Sequence, residues 1–497
     1  MYSPYIDSHT LRRILLIIFT IQNKNYILLY PIISYNMTST YENGLFIFRR
    51  DFRIVDNITL LELNEKCRNI HVIFIFTPEQ VGVRNKFKSE NAVQFMIESL
   101  EDLETQISKA GGKLHVYYGD NNNIIKQCIQ LLQINVVAFN IDYSPYAKKR
   151  DQEIAKLCKQ MKIDVLCNHD YYLHEPGSVV NGSGGAYQKF TPYYETAMRR
   201  RVPAPARYRK IHVSDKSARI PESFSLNDAM LRFTKMNPDI LVKGGREEGI
   251  KLIKTAVNTQ KHYGTTRDKP FLPSSQLSAH IKFGCLSIRE VYKAFQGNTM
   301  FIRQLYWRDF YASVLHSFPH VLGSSMKPNY NRIRWHHNSA WFKAWCDGNT
   351  GFPIVDAGMR QLNSTGYMHN RSRLIVASFL VKTLLISWER GEQYFASKLT
   401  DYDPASNNGN WQWIAGTGAD SQPYFRIFNP SEQGKRVDPK CEYIKKWVPE
   451  LSEVDPNTIH RWEEKWKENK TIQYPHPICD YKKQKELALQ MYSSVFK

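Results

Sequence analysis

A chain of 497 residues is too long for one compact core and long enough for two lobes, and 42% hydrophobic residues suffice to fill them. The formal net charge of +20 and a sequence pI near 9.4 favour a polyanionic partner, nucleic acid first, although basic composition also serves solubility. The eight cysteines are scattered, with no CxxC pair and no Cys/His cluster of metal-ligand spacing, so no metal site is expected and a reduced, intracellular, soluble protein of cytoplasm or nucleus fits best.

At the N-terminus the longest apolar run, residues 14–21 behind Arg12-Arg13, falls short of the roughly 20 residues that span a bilayer. No clear small-residue cleavage site follows, so it is at most a weak targeting segment, and no membrane partner is expected. Met37 stands just ahead of the first strand-like run. Residues 1–42 therefore read as an extension, disordered or a non-native start, of which 1–36 are dispensable.

Short β-prone runs at 45–48, 72–76, 114–118, 136–140 and 164–167 then alternate with helical patterns, a parallel α/β layout over residues 43–170. Val93, Met96, Leu100, Leu103 and Ile107 recur at helical spacing before Gly111-Gly112 and should cover one sheet face. In 171–243 the pattern dissolves: Gly182-Ser183-Gly184-Gly185, Arg199-Arg200-Arg201 and several prolines predict an irregular connector, its basic run a solvated linker. From 244 to 485 the segments are amphipathic and helix-length, such as 354–362 behind Pro353 and 374–388, and 486–497 make a short tail. The fold class is thus α/β: an N-terminal parallel-sheet, Rossmann-like domain followed by an all-helical domain.

The helical region carries Trp, Tyr, Arg and Asn where a plain core would hold Leu, Ile and Val. In 401–413, Asp401 and Asp403, the amides of Asn407, Asn408, Asn410 and Gln412, and the indoles of Trp411 and Trp413 crowd a segment that Pro404 and Gly409 should keep from being a continuous helix. Such a set suits a planar cofactor. Indoles supply apolar faces, amides meet ring heteroatoms, and carboxylates accept from ring N–H or ribose hydroxyls. A flavin or a nucleobase fits these residues, and so does an Asx-rich loop packed by core tryptophans.

Wider support lies in Gly351-Phe352-Pro353-Ile354-Val355-Asp356-Ala357-Gly358-Met359-Arg360-Gln361-Leu362, followed by Tyr367-Met368-His369-Asn370-Arg371. Phe48-Arg49-Arg50-Asp51-Phe52-Arg53 precedes these motifs, and Pro423-Tyr424-Phe425-Arg426-Ile427-Phe428-Asn429-Pro430 follows them. From residue 45 to its end the chain resembles the DNA photolyase and cryptochrome family, nearest to the class I cyclobutane pyrimidine dimer photolyases. The resemblance implies a carbon–carbon lyase of light-driven DNA repair, acting as a monomer on DNA that contains pyrimidine dimers. One FAD would lie in the helical domain. The α/β domain of such proteins can hold a second, antenna chromophore, folate or deazaflavin; residues 142–147 lack the Asn-Glu pair by which some relatives hold a folate, so a deazaflavin or an empty site is equally open.

Carried over by position, the resemblance assigns the FAD phosphates to Tyr263 and to the run Ser274-Ser275-Gln276-Leu277-Ser278. It sets Arg308, Asn370, Arg373, Asp401 and Asp403 beside the cofactor and Asn407 against flavin N5, where a neutral amide accepts from N5–H and favours the reduced state. Trp411, Trp388 and Trp335 match the chain that carries electrons from the protein surface to photoexcited FAD. Trp307 and Trp413 match the walls that receive a dinucleotide flipped from the duplex, and Arg267, Arg308, Asn370, Arg371, Arg426 and Gln433 match the DNA-facing surface.

Three positions depart from the cyclobutane-dimer pattern: Gln304 replaces the active-site glutamate, Tyr367 a tryptophan and Leu374 a methionine. The Gln304 amide can donate to a pyrimidine carbonyl and stabilise a radical anion, but it supplies no proton. Glutamine there also resembles the (6-4) photolyases, whose two pocket histidines correspond here to Asn370 and Leu374. Without that acid/base pair the cyclobutane dimer is the expected lesion. A cryptochrome-type blue-light receptor, a (6-4) photolyase and a nucleic-acid binder that keeps FAD only for structure are the alternatives.

Overall fold

The β-prone runs pair into a five-stranded, all-parallel sheet in the computed structural model, which describes residues 41–496. The expectations for residues 1–40 lie outside the described residues, but Tyr41 and Glu42, set in the extension, open the first strand. Strands β1 (Tyr41–Phe48), β2 (Cys67–Phe76), β3 (Leu114–Tyr118), β4 (Val136–Asn140) and β5 (Asp164–Asn168) take the order β3-β2-β1-β4-β5. β1 and β2 start before their apolar runs because polar residues extend the ladder, Asn43 lying in register with Asn69. Phe46, Val72 and Val137 are fully buried, which is why the central strands read as continuous apolar runs.

Strand order reverses at β1, so the carboxyl ends of β1 and β4 flank the crevice where open parallel sheets take ligands. Arg50 and Asp142 pair across it at 3.4 Å. The helix Glu90–Lys109 covers one face with the five residues whose spacing predicted it, and Ser89 Oγ caps it by accepting from Ala92 N at 3.1 Å.

The connector is more ordered than its composition predicts. Phe190, Tyr193, Tyr194 and Ala197, at helical spacing, are buried along the helix Phe190–Met198, and a second helix spans Leu226–Phe233. Between them the chain returns to the sheet: Val213 bridges to Ile70 and Ser223 to Tyr117, so that Ile211 and Val213 join the sheet's core.

Beyond residue 243 every regular element among the described residues is helical. Three expectations give way here. Residues 374–388 are not one helix: Asn370–Lys382 ends, Leu385 takes φ +58°, and Ser387 caps the new helix Trp388–Lys398 by accepting from Glu389 N at 3.2 Å. Complete burial of Leu384, Leu385 and Ile386 outweighs the left-handed backbone at Leu385, whose carbonyl accepts from His336 N at 2.8 Å.

Residues 401–413 are not interrupted either. Pro404–Ala415 is a continuous helix with Asp403 as N-cap and Pro404 in the first turn, where a missing N–H costs nothing. Gly409 sits inside it because a Cβ there would lie 2.1 Å from the Tyr311 ring. Residues set apart as a tail continue the helix Tyr481–Ser493, whose Tyr492 is fully buried in the helical core.

Sheet and helices share their interior. Phe52, after β1, stacks on Phe283 at 6.1 Å, and Ala279, Phe283 and Cys285 belong to the sheet's core. Beside them Arg53 pairs with Asp170, Arg289 reaches Asp170 at 2.7 Å and Asp56 at 3.0 Å, and Ser287 donates to Asp56. Burial opposes the charge of Asp170, but Arg53 and Arg289 override it and hold the carboxyl below its usual range.

Candidate active site

A cavity of about 770 Å³ opens among the helices, a size suited to a cofactor. Helical spacing aims its lining: Arg303, Gln304, Trp307 and Arg308 from Thr299–Ser317, Arg371 and Leu374 from Asn370–Lys382, and Ser406, Asn407, Asn410 and Trp411 from Pro404–Ala415.

In the most buried part, Arg373 Nη2 donates to Asp401 Oδ2 at 2.9 Å. Asp403 accepts from Ser406 N at 3.0 Å as a cap and from Arg50 Nη2 at 3.1 Å, so Arg50 ties the sheet crevice to the cavity. Burial again opposes the Asp403 charge, and Arg50, then Arg308, hold its carboxyl low. Asn407 Nδ2 donates to the Glu392 carbonyl at 3.0 Å, which leaves Oδ1 as the acceptor this cavity-lining amide offers a ligand. Behind it, Glu392 Oε1 accepts from Asn408 Nδ2 at 3.1 Å, and burial raises the Glu392 carboxyl to about 7.

The phosphate run divides. Tyr263, Ser275, Leu277 and Ser278 line the cavity. Ser274 Oγ instead shares a hydrogen bond of 2.9 Å with Tyr367 Oη, and Gln276, at φ +54°, is absent from the lining. Lys282, one turn beyond Ser278, does line it. Burial and then Arg50 lower its ammonium to about 7 against the pull of Asp403, Asp142 and Asp401.

Towards the more exposed side, Trp307 lies flat on Phe190 with ring centres 3.7 Å apart, and Trp413, Asn370, Arg267 and Arg426 also line the wall. Gln304 Nε2 donates to the Met300 carbonyl at 3.2 Å, which leaves its second N–H and Oε1 for a ligand. Arg308 Nη1 donates to the Tyr171 carbonyl at 2.6 Å, while its buried Nη2 has no protein partner. Gln433 lies outside the lining, its Oε1 engaged by Arg436 Nη2 at 2.6 Å.

Trp411, Trp388 and Trp335 belong to or pack against one core cluster. Trp411 lines the cavity, and its ring lies so close to Gly391 that a Cβ there would be 2.2 Å away. Trp388 opens the same helix as Gly391, and His336, beside half-buried Trp335, bonds the Leu385 carbonyl three residues before it.

Arg50, Lys282, Arg303 and Tyr402 were given no role by the sequence. Lys282 falls four residues after Ser278 and Arg303 four before Trp307, so helical spacing alone would have nominated both. A flavin dinucleotide fits this set. Ser275, Ser278 and Lys282 suit a diphosphate, Asp403 a ribose, and Arg373, Asp401, Asn407 and Trp411 a ring system, while the orphaned Arg308 Nη2 awaits an acceptor.

The family model for DNA photolyase matches residues 45–208, and the model for the FAD binding domain of DNA photolyase matches residues 301–494. The deoxyribodipyrimidine photo-lyase of Halobacterium salinarum is 34% identical over 90% of this chain and 98% of its own length. Among solved structures, the archaeal photolyase of Sulfolobus tokodaii with two FAD molecules superposes with a TM-score of 0.82 at 38% identity, covering 91% of this chain and all of that one. A class III photolyase from Agrobacterium tumefaciens gives 0.84 at 31% identity, covering 94% and 99%.

Proposed function

The chain belongs to the DNA photolyase family, FAD-dependent enzymes of light-driven DNA repair, and on that premise we propose that its lesion is the cyclobutane pyrimidine dimer. One observation carries the choice: among the described residues, no histidine lines the cavity. His369, next to Asn370 in the sequence, caps the helix Asn370–Lys382 by accepting from Arg371 N at 3.1 Å, and burial, with Arg373 next, lowers its imidazole to about 4. A (6-4) product needs an oxygen transferred with a proton, and no histidine stands among the described residues of this wall to move one. Splitting a cyclobutane dimer needs only an electron lent and returned.

A bound flavin, once reduced and excited by light, would be the source of that electron. Arg373, Asp401 and Asp403 would hold its ring and ribose, and Ser275, Ser278 and Lys282 its phosphates. Asn407 would present Oδ1 to N5–H, its amide fixed by Glu392. Trp307 and Trp413 would replace the stacking that the flipped dinucleotide loses, and Gln304 would donate its free N–H to a pyrimidine carbonyl as negative charge develops there. Trp411, Trp388 and Trp335 would return FAD to its reduced form. A second chromophore would take the crevice at Arg50 and Asp142.

The test is lesion loss from two oligonucleotides, one with a cyclobutane thymine dimer and one with a (6-4) product, incubated with reduced protein in blue light and in darkness. Light-dependent loss of the cyclobutane dimer alone is expected. Loss of the (6-4) product alone would overturn the histidine argument, and photoreducible FAD without repair would make the protein a receptor.

A further inference from the structure

Two arginines at the start of one helix each hold a carboxylate, and the pairs differ in depth. The inner pair is Arg373 with Asp401, whose side chain is 7% exposed; the outer pair is Arg371 with Asp268, whose side chain is 45% exposed. Asp268 Oδ1 accepts from Arg371 Nη2 at 2.5 Å and from Nε at 3.2 Å, so one carboxylate oxygen occupies the two donors of one guanidinium edge. Both residues line the cavity, and the neighbouring Arg267, Arg303 and Arg426 have no carboxylate partner among the described residues. An anion arriving from solvent therefore meets three unpaired guanidiniums and one that is already taken. An ion pair this exposed yields to a competing anion at small cost, and phosphate suits the same fork.

Resting on the reading of this wall as the DNA-facing surface, we propose that Asp268 is an internal competitor for backbone phosphate at Arg371 and thereby sets how tightly the protein grips DNA. Once displaced, its carboxylate stays on the segment that carries Arg267, beside the incoming phosphate. The contact then gains less and releases about one cation fewer than an unpaired arginine would. The effect is the same for damaged and undamaged duplex, because both present the same phosphate. It lowers the occupancy of undamaged DNA, while the lesion adds stacking on Trp307 and Trp413 that Asp268 does not touch.

The test measures anisotropy of dye-labelled duplex, with and without a thymine dimer, against FAD-loaded full-length protein from 50 to 200 mM salt. Asp268→Asn, and independently Asp268→Ser, are expected to tighten both duplexes by about two- to fivefold at the lowest salt. The slope of log K against log salt should steepen by about one. In an Arg371→Met background the same substitutions should do nothing. Weaker binding, an unchanged slope, or equal tightening without Arg371 would overturn the proposal. Wild-type protein with no salt-dependent DNA binding would instead remove the functional reading on which it rests.

Discussion

Two sets of arginines in this chain differ in what folding gives them to hold. Between sheet and helices, Arg53 and Arg289 are matched by Asp56 and Asp170, with no side chain more than 6% exposed. Around the cavity, Arg267, Arg303 and Arg426 have no carboxylate partner among the described residues. The first set is completed by folding and is architecture; the second is completed only by a ligand. A net charge of +20 announces an excess of cations, but only partner geometry says which of them are spoken for.

The comparison breaks most visibly at Asp170. Asp170→Asn leaves Arg53 and Arg289 buried and short of charge, and should lower the unfolding free energy by about 3–5 kcal/mol in urea titrations at pH 7. A loss below about 1 kcal/mol would remove this network from the architecture. Glu392 belongs to neither set, being buried with no cation partner among the described residues. Because burial raises its folded carboxyl from 4.5 to about 7, the folded state holds that proton more tightly than the unfolded one. Stability from this source is full below about pH 4.5 and is lost as pH rises towards 7. Glu392→Gln should therefore match the parent at pH 4 and exceed it by up to about 3 kcal/mol at pH 8, read from denaturant midpoints; equal gains at both would refute a titrating Glu392.

At the exposed set the effects shift from stability to binding. Arg426→Ala should leave unfolding within about 0.5 kcal/mol of the parent, yet weaken DNA binding about tenfold and flatten its salt slope by about one. Destabilisation instead would mean that this arginine, too, is architecture. Smallest of all should be Gln433→Ala. Its side chain serves Arg436 and stands outside the cavity lining, so a change in DNA affinity below about twofold is expected. A tenfold loss would restore the role its sequence match assigns.

Strands were legible because those buried on both faces must be apolar throughout, and 72–76 or 136–140 admit no other economical reading. The segment 401–413 was legible in chemistry and misread in shape. Local propensity counts Pro404 and Gly409 as breakers, but position within the first turn absolves one and the Tyr311 ring demands the other. Matching positions gave Ser274 and Gln276 a phosphate role, yet a sequence match does not fix where a side chain points, and Ser274 turns to Tyr367. Asp268 was invisible for another reason: its partner is 103 residues away, a pairing that no local pattern encodes.

Phe283, which covers Phe52 and lies 5.2 Å from Phe95, reaches the sheet from a part of the chain made long after it. On the ribosome, the sheet's strands are synthesised by residue 168 while that cover, and Arg289 after it, are still to come. A nascent chain halted near residue 243 would display an apolar face and an Asp170 held by Arg53 alone rather than a finished lobe. It would be a substrate for chaperones. The molecule's first half thus matures only when translation has passed into its second.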